Sequence, residues 1–445
     1  MSKNIYFTSL AINQTIFWLS ICKSKSNAHK FRILCFDSES VKKIKDHKYI
    51  IDMTSTNNNF SNYEQIKLFK KFNIKDVKKL LNHEIENHGK ENYKKIVSKF
   101  VNDLYNVDKE LFNKKGVIIQ ELGGFSPNIA TYLYSQKKKL DHYFLEPSFF
   151  NGRFHGCKNS LQDFRLKNKF FRVDEKKIIK IINQKIKTKD ILIPKKDIEH
   201  FKNPFTKYFK LRNLSRFVYK HFTSVMFRYR FVFFQNLSIV LKYFKEFLNF
   251  ILMLPLYKKL NNKKNYIYFP LHVPNDIALT LRAPNFQDQI SLINKLCNFF
   301  ANENVVIKEH PARAGSINLR RILKKHKNLS LLHPFINNYD VIKKSKFVVT
   351  INSKSGFEAL ILDKKIVPLS DSYYNSEKTT KLSLNKLKKI NLSNIFVYKK
   401  TNIDKIKFFK KLYQNSLQGE LYLVSKINIK NFKESLLNLT KKNLY

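Results

Sequence analysis

Three short polar runs, each placed directly after an apolar run, carry the residue types from which an anion-binding or group-transfer site is built. The first is Pro270–Leu271–His272–Val273–Pro274–Asn275–Asp276, following Tyr266–Phe269. The second is Lys308–Glu309–His310–Pro311, following Val305–Ile307. The third is Asn352–Ser353–Lys354–Ser355–Gly356, which leads into Phe357–Glu358–Ala359. Pro311 biases His310 toward an extended backbone just beyond a buried strand, so the imidazole is aimed outward. In the third run a strand stops in a polar loop and a helix starts. Free N–H groups at such a start, the positive end of the helix dipole and the Ser353 and Ser355 hydroxyls suit a phosphate. Ser355 and Glu358 also have the S-x-x-E spacing of a capping box, which alone would account for both. The run lacks the G-x-x-x-x-G-K-[ST] pattern of a P-loop. A lone His is usually structural; a Lys-Glu-His-Pro run with a Ser-x-Ser-Gly helix start two strands later is less often so.

The elements that position these runs alternate in type. Strand signals at Tyr266–Phe269, Asn304–Lys308, Leu329–Leu332, Phe347–Thr350 and Lys365–Leu369 are separated by helical stretches at about 287–300, 317–325, 339–344 and 355–362. This is the pattern of a doubly wound parallel sheet, in which ligands sit beyond the carboxyl ends of the strands. An earlier alternation places strands at Asn4–Leu10, Arg32–Asp37, Val117–Gln120 and His142–Leu145, with helices at 13–22 and about 128–137. Between them, 63–112 is charged, helical in period and expected as a surface insertion. The stretch Phe205–Tyr257 is aromatic and basic, as in Phe227–Arg228–Tyr229–Arg230. Lys242, Lys245 and Glu246 interrupt its best apolar window, against a membrane span of about 20 residues. An interfacial amphipathic helix, or a connector that buries its Phe face, fits it better. The expected division is an N-terminal Rossmann-like domain over 1–200, a basic-aromatic connector over 201–262, a C-terminal Rossmann-like domain over 263–400 and two helices over 401–445.

Length and composition agree. A chain of 445 residues with 43% hydrophobic residues has material for two cores. The formal charge of +50 points toward an anionic partner. Yet of the 84 basic residues only 12 are Arg; the other 72 are Lys, spread along the chain. Arg is the residue suited to bidentate base and phosphate contacts, so nucleic-acid binding is disfavoured. The four cysteines, Cys22, Cys35, Cys157 and Cys297, have no metal-ligand spacing and read as buried thiols of a reducing compartment. No cleavable leader is recognisable at the N-terminus.

In order, PLHVPND, VVIKEHPA, VVTINSKSGFEAL and IVPLSDSYY resemble the capsule polysaccharide synthesis family, which includes Kdo transferases that use a CMP-linked sugar. QELGGF (Gln120–Phe125) and HYFLEPSFF (His142–Phe150) are similar to segments of the same group. The resemblance implies a GT-B architecture of two facing Rossmann-like domains, with the sugar donor held mostly by the second. It implies that Lys308, His310, Pro311, Asn352, Ser353, Ser355 and Gly356 bind the donor nucleotide, and that Glu358 contacts its ribose.

Glycosyl transfer needs a base for the acceptor hydroxyl or a stabiliser for an oxocarbenium-like transition state. Three carboxylates at strand ends are candidates: Glu146, favoured for its place before Pro147, then Glu121 and Asp276. Kdo transferases of this kind carry Glu-Asp followed by Gly-Phe at a comparable strand end, whereas here the run is Glu146–Pro147–Ser148–Phe149. The alternative role for Glu146 is to cap the loop at Ser148 or pair with Arg153. The expectation is a cytoplasmic enzyme, peripheral on the anionic inner face of the membrane. It would transfer an acidic, Kdo-like sugar from a CMP-linked donor to a lipid-linked or glycan acceptor, with no cofactor, metal or nucleic acid. A sugar-nucleotide epimerase of the same fold and a non-catalytic polysaccharide synthesis or export protein are the alternatives.

Overall fold

The computed structural model describes residues 3–24, 29–44, 46–54, 58–161, 166, 170–190, 211–233, 237–260, 265–374 and 402–441. Positions 205–210 and 234–236 of the basic-aromatic stretch lie outside them.

Strand β1 (Lys3–Ser9) leads into α1 (Ile12–Lys23), β2 (His29–Cys35), α2 (Ser38–Lys43) and β3 (Ile50–Asp52). Helices α3 (Asn62–Lys71), α4 (Val77–Leu80), α5 (Asn82–His88) and α6 (Tyr93–Glu110) follow. Then come β4 (Val117–Glu121), α7 (Ser126–Lys137), β5 (Asp141–Pro147) and β6 (Arg153–Lys158). Three helices, α8 (Glu175–Thr188), α9 (Leu211–Met226) and α10 (Leu237–Met253), precede the second alternation. That alternation begins with β7 (Tyr257–Lys258), β8 (Tyr266–Pro270), α11 (Ile277–Thr280), α12 (Gln289–Phe299) and β9 (Val305–Lys308). It continues through α13 (Arg320–Lys325), β10 (Leu329–Leu332), α14 (Asn338–Lys344), β11 (Ser345–Thr350), α15 (Ser355–Ile361) and β12 (Lys365–Pro368). Helix α16 (Asn402–Gln414), strand β13 (Leu417–Gln418) and helix α17 (Lys426–Lys441) follow.

The chain forms two compact α/β units. The first comprises Met1–Asp163, Lys210–Val240 and Leu417–Tyr445, the second Phe164–Phe209 and Leu241–Ser416. The expected linear division does not describe these units. The stretch 201–262 is shared between them, and α16 and α17 belong to different ones. The reason is burial. Phe432, Leu436 and Leu439 of α17 bury in the first unit, where Phe432 stacks on Phe154 at 4.5 Å and meets Phe17 edge-on at 5.0 Å. Phe408, Phe409 and Leu412 of α16 bury in the second unit, Phe408 against Phe357.

In the first unit the sheet runs β13-β6-β5-β4-β1-β2-β3, parallel from β5 to β3, with β6 and β13 added antiparallel at one edge. Trp18 of α1 stacks on Phe7 of β1 at 4.5 Å, and its indole N–H donates to the Thr8 carbonyl at 3.2 Å. The helical stretch 63–112 is more than a surface insertion. Ile96, Phe100, Leu104 and Val107 of α6 recur at helical spacing and are fully buried with Ile85, Ile118 and Tyr134. On α9, by contrast, Leu211, Leu214, Val218, Phe222 and Val225 recur on one face and are all more than half exposed.

In the second unit the sheet is wholly parallel, in the order β12-β11-β8-β9-β10-β7. Strands buried on both faces read as unbroken apolar runs, and every residue of β8 and β9 is buried. Helix α10 is pinned onto this unit. Arg313 donates to the Glu246 carboxylate, Asn249 donates to the Gly315 and Ile317 carbonyls at 2.6 and 3.1 Å, and Met253 enters the core. Gly315 sits at φ +81, and a Cβ there would lie 2.3 Å from the Glu246 carbonyl oxygen, so only glycine allows this approach. No helix among the described residues is long and apolar enough to cross a membrane.

Candidate functional site

The central strands of the second sheet are neighbours in the order β11, β8, β9, and all point the same way. Pro270 lies opposite Lys308 in the ladder, and Tyr268 opposite Val348. The three polar runs found in the sequence therefore leave one edge of one sheet side by side.

On β9, Lys308 is buried and its Nζ donates to the Pro334 carbonyl at 3.2 Å. Burial pushes its ammonium down to about 8, opposed by the Glu358 carboxylate. His310 is the N-cap of the short turn Pro311–Arg313: its Nδ1 accepts from the Ala312 N–H at 3.3 Å. The neutral ring therefore carries its proton on Nε2. Burial, then the charges of Lys308, Lys354 and Arg313, hold it down to about 3, so it is neutral at pH 7. Glu309 faces the other way. It accepts from the Tyr257 hydroxyl and from the Gly315 N–H at 3.0 Å, and burial pushes it up to about 7. Its task is to hold the 311–317 loop beside His310.

On β11, the Asn352 amide donates to the Ala278 carbonyl at 2.8 Å, while its buried Oδ1 has no partner. The Ser353 hydroxyl accepts from the Ser355 N–H at 3.1 Å and lies 3.2 Å from the Ser355 hydroxyl. The capping box between Ser355 and Glu358 does not form. Helix α15 begins at Ser355 itself, so Ser355 is one position too late to cap, and Ser353 satisfies its N–H instead. Glu358 is freed to turn inward, where it accepts from the Asn338 amide, which also lies 2.9 Å from the Ser355 hydroxyl. Burial raises Glu358 to about 6, opposed by Asn338, Lys308, Lys185 and Lys354. Gly356 packs on Tyr374, whose ring would be 2.6 Å from a Cβ. Its small size thus serves packing of the loop on Tyr374.

Lys308, His310, Ser353, Ser355 and Glu358 thus gather at one sheet edge of the second unit. The carboxylates proposed for chemistry do not share one environment. Asp276 is exposed and caps α11, accepting from the Ala278 N–H at 2.7 Å. Glu146 is half-buried within β5 opposite His155, inside the antiparallel pair and not beyond it. The Ser148 hydroxyl engages His155 at 3.0 Å. Glu121 ends β4 beside Tyr422, whose hydroxyl is driven well above its ordinary value by burial and by that carboxylate. Both belong to the first unit. There the Gly123–Gly124 turn opens onto α7, whose first N–H, from Ser126, is taken at 2.6 Å by the buried Glu84 carboxylate.

Sequence reasoning missed Asn338, the shared partner of Ser355 and Glu358, because its contacts join positions 17 and 20 residues apart. It also gave no role to His272, although that residue stood in the first polar run.

Residues 254–391, which span every nucleotide-site candidate named above, match the family model "Capsule polysaccharide biosynthesis protein". A curated relative, Protein FixF of Sinorhizobium fredii, is 34% identical over 113 residues, 25% of this chain. The chain spans about a quarter of that relative's length, 27%. Among solved structures, the β-Kdo 2,7 transferase KpsC of Thermosulfurimonas dismutans aligns over 86% of this chain and 98% of its own, at 13% identity and a TM-score of 0.35. The UDP-GlcNAc 2-epimerase of Methanocaldococcus jannaschii, in complex with UDP-GlcNAc and UDP, aligns over 92% and 98%, at 15% identity and a TM-score of 0.28. Over residues 254–391, within the second unit, the chain is therefore similar to that family's model.

Proposed function

We propose that the protein is a glycosyltransferase of capsule or surface polysaccharide biosynthesis. It transfers an acidic, Kdo-like sugar from a CMP-linked donor to a lipid-linked or glycan acceptor. One observation carries the reading: Lys308, His310, Ser353, Ser355 and Glu358 meet at the carboxyl edge of a parallel sheet, the place where such sheets bind ligands. A buried cation, a neutral imidazole and two hydroxyls suit a nucleotide phosphate. Buried charge and N–H donors stabilise a leaving phosphate most where water is excluded. That set offsets part of the leaving group's charge from side chains, and the transfer is proposed to need no divalent cation. Glu358 suits a ribose hydroxyl. Glu146 is the proposed base, with Glu121 and Asp276 behind it.

The acceptor's lipid calls for a membrane surface, and the exposed apolar stripe of α9 supports one. Leu211, Leu214, Val218, Phe222 and Val225 offer an apolar face on a chain of net charge +50, which suits an anionic bilayer and a peripheral place on the inner leaflet.

The test is a panel of nucleotide sugars incubated with the protein, with and without EDTA, and with a capsule glycan or lipid acceptor. Release of CMP that depends on acceptor and survives EDTA is the expected result. Interconversion of a sugar nucleotide without acceptor would identify an epimerase, and binding of glycan with no release of nucleotide a non-catalytic protein.

A further inference from the structure

His272 leaves the middle strand of the site and has been given no task. It stands two residues beyond β8, between the end of β9, which carries His310, and the end of β11, which carries the serine loop. Its side chain is 8% exposed, and its Nε2 is buried with no hydrogen-bonding partner. A buried polar atom without a partner costs about 1–3 kcal/mol, so such atoms ask for an explanation.

The backbone around this ring is held with unusual care. Gln289, itself buried at the start of α12, takes the His272 N–H on its Oε1 at 2.8 Å and gives its Nε2 to the His272 carbonyl at 3.0 Å. Both backbone groups of His272 are thereby tied to one side chain, while the ring nitrogen is left over. The neighbouring strand end repeats the pattern: the Asn352 amide is tied to Ala278 and its buried Oδ1 is left over. Burial pushes the His272 ring down to about 4, so at pH 7 it is neutral.

We propose that His272 is a further ligand-binding residue of this site, donating from Nε2 to an anionic oxygen of the bound nucleotide sugar. The proposal rests on the nucleotide-sugar reading above and adds to it a second imidazole, at the end of the middle strand. The anionic oxygen belongs either to the nucleotide phosphate or to the carboxylate of an acidic sugar, and the two sources separate by experiment.

The measurement is calorimetric binding of CMP and of CMP-Kdo to the full chain and to His272→Leu, His272→Gln and His310→Ala. His272→Leu is expected to weaken binding by about tenfold to a hundredfold, the range for losing a hydrogen bond to a charged group. His272→Gln, which keeps an N–H donor, should recover part of it. Loss with both ligands assigns the oxygen to the phosphate; loss with CMP-Kdo alone assigns it to the sugar carboxylate. Thermal midpoints test a merely structural role. Because Nε2 has no partner in the protein, His272→Leu should melt no lower than the wild type, and a lower midpoint with unchanged affinity overturns the proposal. Histidine-selective 15N spectra add an independent readout: the resonance lost in His272→Gln must shift when CMP or CMP-Kdo is added to the wild type. If the wild type binds neither ligand, the nucleotide-sugar reading falls and this proposal with it. If the wild type binds, His310→Ala weakens binding and the His272 variants do not, the proposal alone falls.

Discussion

The side-chain amide of Asn338, at the first position of α14, donates to the carboxylate of Glu358, one turn into α15. That bond satisfies a carboxylate standing inside the second unit and opposes the displacement of its titration, which burial causes. Glu358 is raised from 4.5 to about 6, so between those values the folded protein holds a proton that the unfolded chain has lost. Stability from this group is full below pH 4.5 and is lost as pH rises through about 6. The displacement is worth about 2 kcal/mol, taking about 1.4 kcal/mol per unit. Glu358→Gln should therefore gain on the wild type in thermal midpoint between pH 4.5 and 6.5. Parallel melting curves at all pH values would contradict the assigned burial.

Lys308 titrates in the opposite sense. Its pKa is lowered from 10.5 to about 8, so binding of a phosphate should be full below pH 8. Above it the neutral amine must first take up a proton, and CMP affinity should fall by about tenfold per pH unit. Calorimetry from pH 6.5 to 9.5 measures this. Lys308→Met should bind weakly at every pH and show no such slope.

His310→Ala and Ser355→Ala should each weaken CMP binding by about 1–3 kcal/mol, as expected for a lost hydrogen bond to a charged group. Neither change should disturb the sheet, since both residues lie beyond strand ends. Unchanged affinity in both variants places the nucleotide elsewhere.

Among the carboxylates, Glu146→Gln should fold and bind nucleotide yet lose transfer by at least about a hundredfold, the low end for general acid–base groups. Asp276→Asn should be nearly silent, because Asn caps a helix as well as Asp and the cap is what the structure uses. Glu121→Gln probes the carboxylate beside Tyr422. Loss of turnover there, with Glu146→Gln active, transfers the role of base to Glu121; three active variants remove the mechanism.

The exposed stripe on α9 should hold the protein on anionic vesicles, more weakly as salt rises, because each basic residue near the surface adds about 1 kcal/mol. Val218→Asp with Phe222→Asp alters only exposed positions, so the melting temperature should stay put while recovery by flotation falls. Equal flotation with neutral and anionic vesicles, or no effect of the double variant, leaves α9 without a membrane role.

Local signals were the legible part. Unbroken apolar runs such as Val305–Ile307 marked buried parallel strands, and the polar residues that ended them marked the site edge, because burial ends where the sheet ends. The short edge strands β3, β7 and β13 were not read, since two or three residues carry no period. Helix α6 was read as a helix but placed on the surface, its many lysines outweighing the face formed by Ile96, Phe100, Leu104 and Val107.

By itself, then, the sequence determined two α/β alternations, the strand ends that carry Lys308, His310 and the serine loop, and the family likeness of that segment. Tertiary structure decided who meets whom. Asn338 reaches Glu358 across 20 residues, Arg313 reaches Glu246 across 67, and the α17 helix covers a strand more than 270 residues earlier through Phe432 and Phe154. Periodicity reports only how one element faces its own core. Partners across loops are chosen by which buried charges and apolar faces are brought together when the sheets close, and no local spacing encodes that choice.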